Sequence, residues 1–373
     1  MSRTTLTLVA FSLLAVSACG SDSSTSAPSS GFGTPVVAGA AFPADRCAAN
    51  KAAGKITYLS SFDFAATASI VDVLVAKDKG YFEQMCLDVD VKPSFSVDNY
   101  PQLAANKAQF SSAGSFSEVI DYATKNQASF VALAVEGKTG IDALVVKDGL
   151  ATTLADLKGT TIGVKGKIPP SVAAMLKKAG LTEGTDYQTV LLDGFDPKVH
   201  IEVPNIVGFP GYKSNEPLQL TAAGIPFTLF DPADSDIPGS FGILYTNGTF
   251  LAAHPSAAQD FIRAAMMGLA DAIADPTAAA ATAVGYINAN GNAMFLSPEG
   301  ETARWGVESK LVVSTNTATA LGVPEIRALT NEVATYAKIG LFDSNTPDVI
   351  KYVNTALISG VYAADRTVVW PAK

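Results

Sequence analysis

The loop GYKSNEP, residues 211–217, places three side chains with binding chemistry close together between two apolar runs. Tyr212 offers a ring face and a hydroxyl, Asn215 offers an amide, and the Glu216 carboxylate can accept hydrogen bonds from amino groups. Glu216 precedes Pro217, and the residue before a proline favours extended backbone, so we expect Glu216 to lie outside a helix. The alternative is a plain surface turn rich in glycine and proline.

Hydroxyl-bearing and aromatic side chains recur in SSFD (60–63), in SSAGS (111–115) and at Phe195. Stacked rings gain about 0.5–1.5 kcal/mol per pair beyond the burial of their area, whereas serine and carboxylate groups orient polar atoms. Packing in the core is the alternative for each aromatic ring. The candidate ligand-binding residues are Ser60, Ser61, Phe62, Asp63, Ser112, Ser115, Phe195, Tyr212, Asn215 and Glu216.

Catalysis has little support in the sequence. Of the two histidines, we expect His200 to be structural or exposed and His254 to lie on the surface at a helix start. No G-x-S-x-G motif occurs, and no cysteine or histidine pair has metal-ligand spacing. Gly166-Lys167 lacks the flanking residues of a phosphate-binding loop. We therefore expect no enzyme activity, no catalytic residue, no metal and no cofactor.

The 373 residues carry a formal net charge of −9, with lysines scattered along the chain. Because nucleic-acid-binding proteins concentrate positive charge on one face, we expect no nucleic-acid partner. Carboxylates at a binding site favour a ligand with N–H donors over sulfonate or nitrate. Lys165 and Lys167 favour the opposite and could serve a phosphate or a carboxylate; the alternative is that both are simply solvated.

Strand and helix signals alternate along the chain. Residues 54–62 and 87–93 have strand patterns, and residues 67–79 between them have apolar positions at helical spacing. A second unit of the same style begins near Ala151, and helices dominate from residue 254 onwards. This order predicts an α/β protein with mainly parallel sheets, two lobes facing each other across a cleft, and a helical C-terminal block.

Ligands of open α/β sheets bind beyond the carboxyl ends of the strands. The loops that leave the expected strands are therefore where we expect a ligand. These loops are residues 60–63, 111–115, 136–137, 165–171, 195–196 and 211–217.

The first residues indicate export. Arg3 precedes an apolar run, residues 6–16, that is too short to span a bilayer and has the layout of a secretory signal. Residues 15–19, AVSAC, resemble a bacterial lipobox, in which Cys19 is lipidated and becomes the mature N-terminus; an ordinary signal peptide is the alternative. We expect a signal peptide over 1–18, then the lipidated cysteine and a flexible tether over 19–46.

Assigning Cys19 to lipid leaves Cys47 and Cys86 as a pair in an oxidising compartment. We therefore predict a Cys47–Cys86 disulfide, with two buried free thiols as the alternative.

Four stretches of the chain resemble a known family. They are KITYLSSFDFAATASIVDVLVAKDKGYFEQMCLDVDV (55–91), LADLKGTTIGVKGK (154–167), GYKSNEP (211–217) and AAHPSAAQDFIRAAMMGLADAIADP (252–276). They are similar to solute-binding proteins of ABC importers, in the taurine, nitrate and thiamine-precursor branch, over roughly residues 54–345. In that family the stretch like GYKSNEP presents a glutamate to the ligand, which implies that role for Glu216.

The resemblance implies a type II periplasmic-binding-protein fold with a ligand cleft between lobes. Lobe 1 would comprise residues 48–146 and 243–373, lobe 2 residues 147–242, with a hinge near Val146 and Ile243. The protein would capture a small heteroaromatic nutrient, such as a thiamine-pyrimidine or flavin precursor, by lobe closure and deliver it to a permease and its ATPase. We expect an extracytoplasmic monomer that meets the bacterial cell membrane only through lipidated Cys19.

Two alternatives stay open. One keeps the fold but binds taurine, another alkyl sulfonate or a small anion. The other is a surface lipoprotein that acts as a sensor or adhesin. Eukaryotic pyrimidine-precursor synthases share the fold implied by the resemblance, but they use a cysteine-rich motif and a histidine, and this chain has no such cysteine cluster.

Overall fold

The computed structural model describes residues 31–290, 297–343 and 345–372. The expected signal peptide, Cys19 and the first part of the expected tether lie outside these residues. None of the helices within them is both long and apolar enough to cross a membrane.

Two five-stranded sheets organise the described residues. The strands are β1 (Lys55–Leu59), β2 (Asp88–Lys92), β3 (Phe110–Ala113), β4 (Phe130–Gly137), β5 (Asp142–Lys147), β6 (Thr161–Val164), β7 (Gln188–Leu191), β8 (Gly208–Tyr212), β9 (Phe227–Phe230) and β10 (Phe241–Asn247). The helices are α1 (Ala44–Ala52), α2 (Val71–Asp78), α3 (Tyr81–Gln84), α4 (Ser96–Ala104), α5 (Phe116–Asn126), α6 (Pro170–Lys178), α7 (Pro197–Glu202), α8 (Glu216–Ala222), α9 (Gly248–Ala253), α10 (Pro255–Ala274), α11 (Pro276–Asn290), α12 (Pro298–Thr315), α13 (Ile326–Ala337) and α14 (Thr355–Ser359).

Both sheets are mixed: four strands of each run in one direction, as expected for mainly parallel sheets, and one strand, β10 or β5, runs antiparallel to them. The first has the order β2-β1-β3-β10-β4 and the second β7-β6-β8-β5-β9. β1 pairs in parallel with β2 and β3, and β6 with β7 and β8. β10 runs antiparallel to β3 and β4, and β5 antiparallel to β8 and β9. The antiparallel pairs arise because β5 and β10 each follow a segment that crosses from one sheet to the other.

The chain crosses between the sheets twice, over residues 138–141 and 231–240. β5 lies in the second sheet, so the first crossing precedes it and the expected boundary at residue 146 is too late. The second crossing ends before Phe241, ahead of the expected boundary at 242. The two crossing segments touch: a Cβ on Gly239 would lie 2.6 Å from the backbone nitrogen of Gly140. Only glycine permits that approach.

Apolar composition explains which elements form the core of the first lobe. β10, FGILYTN, is buried along its whole length because it lies in the middle of its sheet and helices cover both faces. α10 packs along α2, and both helices are largely buried. α13 contacts α5 of lobe 1 and α6 of lobe 2, and one apolar cluster continues across both lobes through it.

The N-terminal segment is fastened to lobe 1. The predicted disulfide between Cys47 and Cys86 is present, with the Cα atoms 5.2 Å apart. Arg46 is 1% exposed, and its Nε lies 2.5 Å from Asp260 Oδ2 on α10. The expected tether to residue 46 is therefore too long, since α1 begins at Ala44 and Arg46 is held by a buried ion pair.

Candidate functional site

Serine side chains at the ends of β1 and β3 hold the loops of lobe 1 together. The Ser61 N–H donates to Ser112 Oγ at 2.7 Å, and the Ser94 N–H donates to Ser60 Oγ at 3.1 Å. Ser60 and Ser112 are fully buried, whereas Ser61 is half-buried. The hydroxyl groups of Ser60 and Ser112 therefore support these loops from inside.

Asp63 shapes the same loop. Its backbone is left-handed, with φ 47°, and its N–H donates to the Ser94 carbonyl at 2.8 Å. The carboxylate accepts the Phe64 N–H at 2.8 Å and is 3% exposed. The Asp63 side chain therefore forms a hydrogen bond within its own loop.

Ser115 caps the start of α5. The Glu118 N–H donates to Ser115 Oγ at 3.3 Å. This arrangement follows from the Ser-x-x-Glu spacing at a helix start. It fixes Glu118, which the sequence analysis did not single out, beside the predicted binding loop.

Three phenylalanines form a group that we call the aromatic mouth: Phe62 and Phe95 of lobe 1 and Phe195 of lobe 2. The Phe62 ring centroid lies 5.7 Å from that of Phe95 and 6.2 Å from that of Phe195, both edge to face. Two cations lie over these rings, Arg304 5.9 Å from Phe62 and Lys165 5.5 Å from Phe195. Phe195 remains 40% exposed, so a planar group can reach it.

Glu216 holds its own loop in place. Its Oε1 lies 2.7 Å from Lys165 Nζ, and its Oε2 accepts the Tyr212 N–H at 2.7 Å. The side chain is 3% exposed, and a Cβ on Gly211 would lie 2.7 Å from its Cδ. The expectation that Glu216 lies outside a helix is wrong. α8 begins there, because a proline at the second helical position has no N–H to leave unpaired.

Asn215 and Ser214 dock lobe 2 on α12. Asn215 Oδ1 accepts Arg304 Nη2 at 2.9 Å, and Ser214 Oγ donates to Glu308 Oε1 at 2.6 Å. Glu308 also accepts the N–H of Ala68 at 2.8 Å in lobe 1. α12 therefore joins a loop of lobe 1 to the loop that contains Asn215.

Tyr212 projects from lobe 2 towards lobe 1. Its hydroxyl oxygen and Glu118 Oε2 both lie 3.0 Å from the position that a Cβ would take on Gly114. Asp142 stands directly opposite Tyr212 across the β5–β8 pair. Tyr212 is 37% exposed as a whole, and burial around its hydroxyl, and then the charges of Glu118 and Asp142, raise the pKa of that hydroxyl above its usual value.

The expected exit loop at 136–137 contributes a buried acid pair. Glu136 and Asp72 are both fully buried, and the two carboxyl groups lie within electrostatic reach of each other. Burial, followed by the charge of Asp72, raises the pKa of Glu136 well above its usual range, and burial raises the pKa of Asp72 to about 7. The pair therefore shares a proton and lies inside lobe 1.

Catalytic and metal-binding groups stay dispersed in the described part of the chain. Among its residues no group of three or more His, Cys, Asp or Glu could hold a metal ion. His200 is buried, with Nε2 2.9 Å from the carbonyl oxygen of Asp193, and packs edge to face on Phe209.

The structure thus brings part of the predicted set to the meeting of the lobes. Phe62, Phe195, Tyr212, Asn215 and Glu216 lie there, with Ser61 and Ser115 half-buried on the lobe 1 side, whereas Ser60, Asp63 and Ser112 are buried within lobe 1. Sequence analysis missed Phe95, Glu118, Asp142, Arg304, Glu308 and Glu332. The capping spacing signals Glu118, whereas the others come from distant segments and have no local signal.

Comparisons with known proteins agree with this architecture. Residues 67–279 match a family model described as NMT1/THI5 like. The riboflavin-binding protein RibY of Chloroflexus aurantiacus is 32% identical over 124 residues, which cover 32% of this chain and 34% of that protein. The match therefore spans about a third of RibY.

Two solved structures illustrate the range of this fold. The periplasmic aliphatic sulphonate binding protein SsuA from Escherichia coli aligns with a TM-score of 0.60 at 13% identity, over 80% of this chain and 92% of that one. The desulfurization enzyme DSZB aligns with a TM-score of 0.56 at 12% identity, over 82% and 98% of the two chains. Both matches show a shared fold alone.

Proposed function

This chain belongs to the NMT1/THI5-like family, and from that premise we propose that it is an extracytoplasmic solute-binding protein of an ABC importer. It captures a small heteroaromatic nutrient between its lobes and delivers it to a permease. The observation that carries this proposal is the aromatic mouth, where Phe62 of lobe 1 faces Phe195 of lobe 2 at 6.2 Å. These rings touch edge to face, so a planar ring would enter when the lobes open and contact both phenylalanines when the lobes close on it.

The contacts of α12 support closure as the binding motion. Arg304 and Glu308 bond to lobe 2 through single side-chain hydrogen bonds, which a hinge rotation about residues 138–141 and 231–240 can break and remake. Phe195 and the Asn215 loop would then move together as parts of lobe 2. The flavin ligand in the name of RibY adds a flavin to the candidate heteroaromatic ligands.

An alkyl sulfonate is the second candidate ligand, favoured by the fold shared with SsuA. An anion requires an available positive charge, and Lys165 is already paired with Glu216 at 2.7 Å. The aromatic mouth therefore supports a ring more strongly than it supports a sulfonate.

Export, a lipid anchor at Cys19 and a monomeric state complete the proposal, on the pattern of residues 1–19. A sensor or adhesin would share these features and lack a permease partner. The proposal includes no enzyme activity, although DSZB has the same fold.

Calorimetric titration of the mature protein with hydroxymethylpyrimidine, formylaminopyrimidine, riboflavin, taurine and nitrate tests the proposal. We expect a heterocycle to bind, and Phe195→Ala to weaken it about tenfold through lost stacking and area. Val199→Ala, an exposed apolar residue on the same lobe, is the matched control. Binding of taurine without any heterocycle would contradict the ligand class, and binding of none of the five would favour the sensor or adhesin.

A further inference from the structure

Three carboxylates from distant segments act electrostatically on one another near the contact between the lobes. Glu118 lies in the first turn of α5, Asp142 begins β5, and Glu332 lies on α13. Burial is the largest cause of the raised pKa of each carboxyl group, and it raises that of Asp142 to about 7. The charge of Glu332 further raises the pKa of Glu118, and the charge of Glu118 that of Asp142. The three groups are therefore within electrostatic reach of one another.

Tyr212 connects the two lobes inside this group. It pairs with Asp142 across β5 and β8, which places both side chains on one face of the second sheet. Its hydroxyl and Glu118 Oε2 are equally close, at 3.0 Å, to the Cβ position of Gly114. Glu118, Tyr212 and Asp142 thus form a continuous polar surface from lobe 1 to lobe 2, which we call the acidic end of the cleft.

One further polar atom near this surface has no hydrogen-bond partner among the described residues. It is the hydroxyl of Tyr100, which is 7% exposed. After burial, the charge of Glu118 is the largest influence on the pKa of this hydroxyl, so the two groups are within electrostatic reach of each other. Buried polar atoms in proteins are normally hydrogen-bonded, and an unpartnered hydroxyl near the cleft points to a bound partner.

The nearby lysines leave the acidic end only partly neutralised. Lys213 Nζ lies 2.8 Å from Asp231 and Lys165 Nζ lies 2.7 Å from Glu216, so each already has a carboxylate. Lys167 lowers the pKa of Glu118 but does not reverse its upward shift. A metal ion does not fit, because the described residues contain no group of carboxylates spaced to ligate one.

We propose, building on the ligand capture proposed above, that Glu118 and Asp142 select a cationic nitrogen group on the ligand. A protonated amine or amidine attached to the ring offers several N–H donors and one positive charge. It would neutralise two carboxylates that burial otherwise destabilises, and it would lie between the lobes only after they close. The aromatic mouth then recognises the ring, and the acidic end recognises its charge.

A matched pair of probes tests this charge selection. We compare 4-amino-2-methylpyrimidine with an aminomethyl group at position 5 against the same ring with a hydroxymethyl group. The two differ in one atom and in charge at pH 7. We expect the wild-type protein to bind the charged probe at least tenfold more tightly by calorimetry.

Glu118→Gln combined with Asp142→Asn should reduce that preference to less than threefold. Gln at position 118 keeps the cap of α5, and both changes preserve side-chain size. Asp88→Asn, at an exposed carboxylate of β2 on lobe 1, is the control and should keep the full preference. Thermal melting by circular dichroism shows that the double variant is folded, and we expect its midpoint to be unchanged or higher.

Titration with riboflavin and taurine separates this inference from the proposed function. Binding of a heterocycle by the wild type without a charge preference overturns the charge selection alone. So does a preference that survives in the folded double variant. Binding of taurine only, or of none of the four probes, overturns both proposals.

Discussion

Asp260 is fully buried and the Glu118 and Asp142 carboxylates of the acidic end are half-buried, but only Asp260 has its charge matched by its neighbours. Asp260 is fully buried on α10, within 2.5 Å of Arg46 Nε and 3.1 Å of Arg263 Nε, and it accepts Asn50 Nδ2 at 2.8 Å. Glu118 and Asp142 instead lie near other carboxylates, and their pKa values are raised.

This difference distinguishes a carboxylate that stabilises the fold from a carboxylate that is available to bind a ligand. A buried carboxylate that the chain itself neutralises stabilises the packing of the elements that meet there. A carboxylate left beside other carboxylates costs stability, and such groups concentrate at functional sites. In this chain the neutralised carboxylate of Asp260 holds α1 against lobe 1. The carboxylates that lie beside other carboxylates are found between the lobes.

The largest effect should come from breaking the neutralised group. Arg46→Met leaves Asp260 buried with one guanidinium fewer, and we expect the free energy of unfolding to fall by about 4 kcal/mol. Urea denaturation followed by circular dichroism measures it. Lys79→Met removes a partly exposed ion pair with Asp271 and should cost less than about 1 kcal/mol. Equal losses in the two variants would contradict the assignment of Asp260 as a carboxylate that stabilises the fold.

The disulfide next to Arg46 should contribute a similar amount. Replacing both Cys47 and Cys86 with serine should lower the free energy of unfolding by about 4 kcal/mol, because the closed loop restricts the unfolded chain. Since the disulfide also holds α1, its loss and Arg46→Met should be less than additive in a double-mutant cycle. Full additivity would show that α1 stays docked without the disulfide.

The Asp72–Glu136 pair is an intermediate case, because its negative charge is reduced by a shared proton and not by an arginine. The folded pKa of Asp72 is about 7 against 3.8 as the ordinary value, so the folded state binds the proton more tightly. The stabilisation of the folded state by this bound proton is complete below about pH 4 and is lost as the pH rises through about 7. Asp72→Asn supplies an N–H donor in place of that proton. It should raise the free energy of unfolding at pH 8 by about 2 kcal/mol and flatten the pH profile. An unchanged profile, measured by urea denaturation at several pH values, would exclude proton sharing.

The smallest effect should come from the acidic end without ligand. Glu118→Gln removes a charge that burial disfavours and keeps the cap of α5, so the free energy of unfolding at pH 8 should rise by about 0.5 kcal/mol. Ser115→Ala, which removes the cap from the same helix, should lower it by about 1 kcal/mol. If Glu118→Gln lowers the free energy of unfolding instead, Glu118 stabilises the fold, as Asp260 does, and the comparison fails.

The fold follows from local patterns that the sequence carries plainly. Alternating strand and helix signals predicted the two α/β lobes, and the parity of Cys47 and Cys86 predicted their disulfide. The antiparallel direction of β5 and β10 was not predicted, because it depends on where the chain crosses between lobes. The apolar run of a buried strand is the same in either direction.

Only the site residues that lie in the expected exit loops could be predicted from the sequence. Phe62 and Phe195 were expected in exit loops and meet at 6.2 Å. Glu216 was expected to face a ligand, and both of its oxygens bond within the chain because Lys165 arrives from a loop 51 residues earlier. Glu332 and Arg304 come from the C-terminal helices and approach the cleft only through tertiary packing, which no local spacing reveals.

The contact of residues 39–40 with residues 370–372 on lobe 1 determines how the described part of the molecule carries mechanical load. Ala372 N–H donates to the Ala40 carbonyl, and the Trp370 carbonyl accepts the Gly39 N–H, beside the disulfide and the Arg46–Asp260 pair. A pull on the chain ahead of residue 31 is therefore carried into α10 and the first sheet. The backbone of the second lobe is connected to that body through two crossing segments, which touch at Gly140 and Gly239, so the load path does not pass through the second lobe.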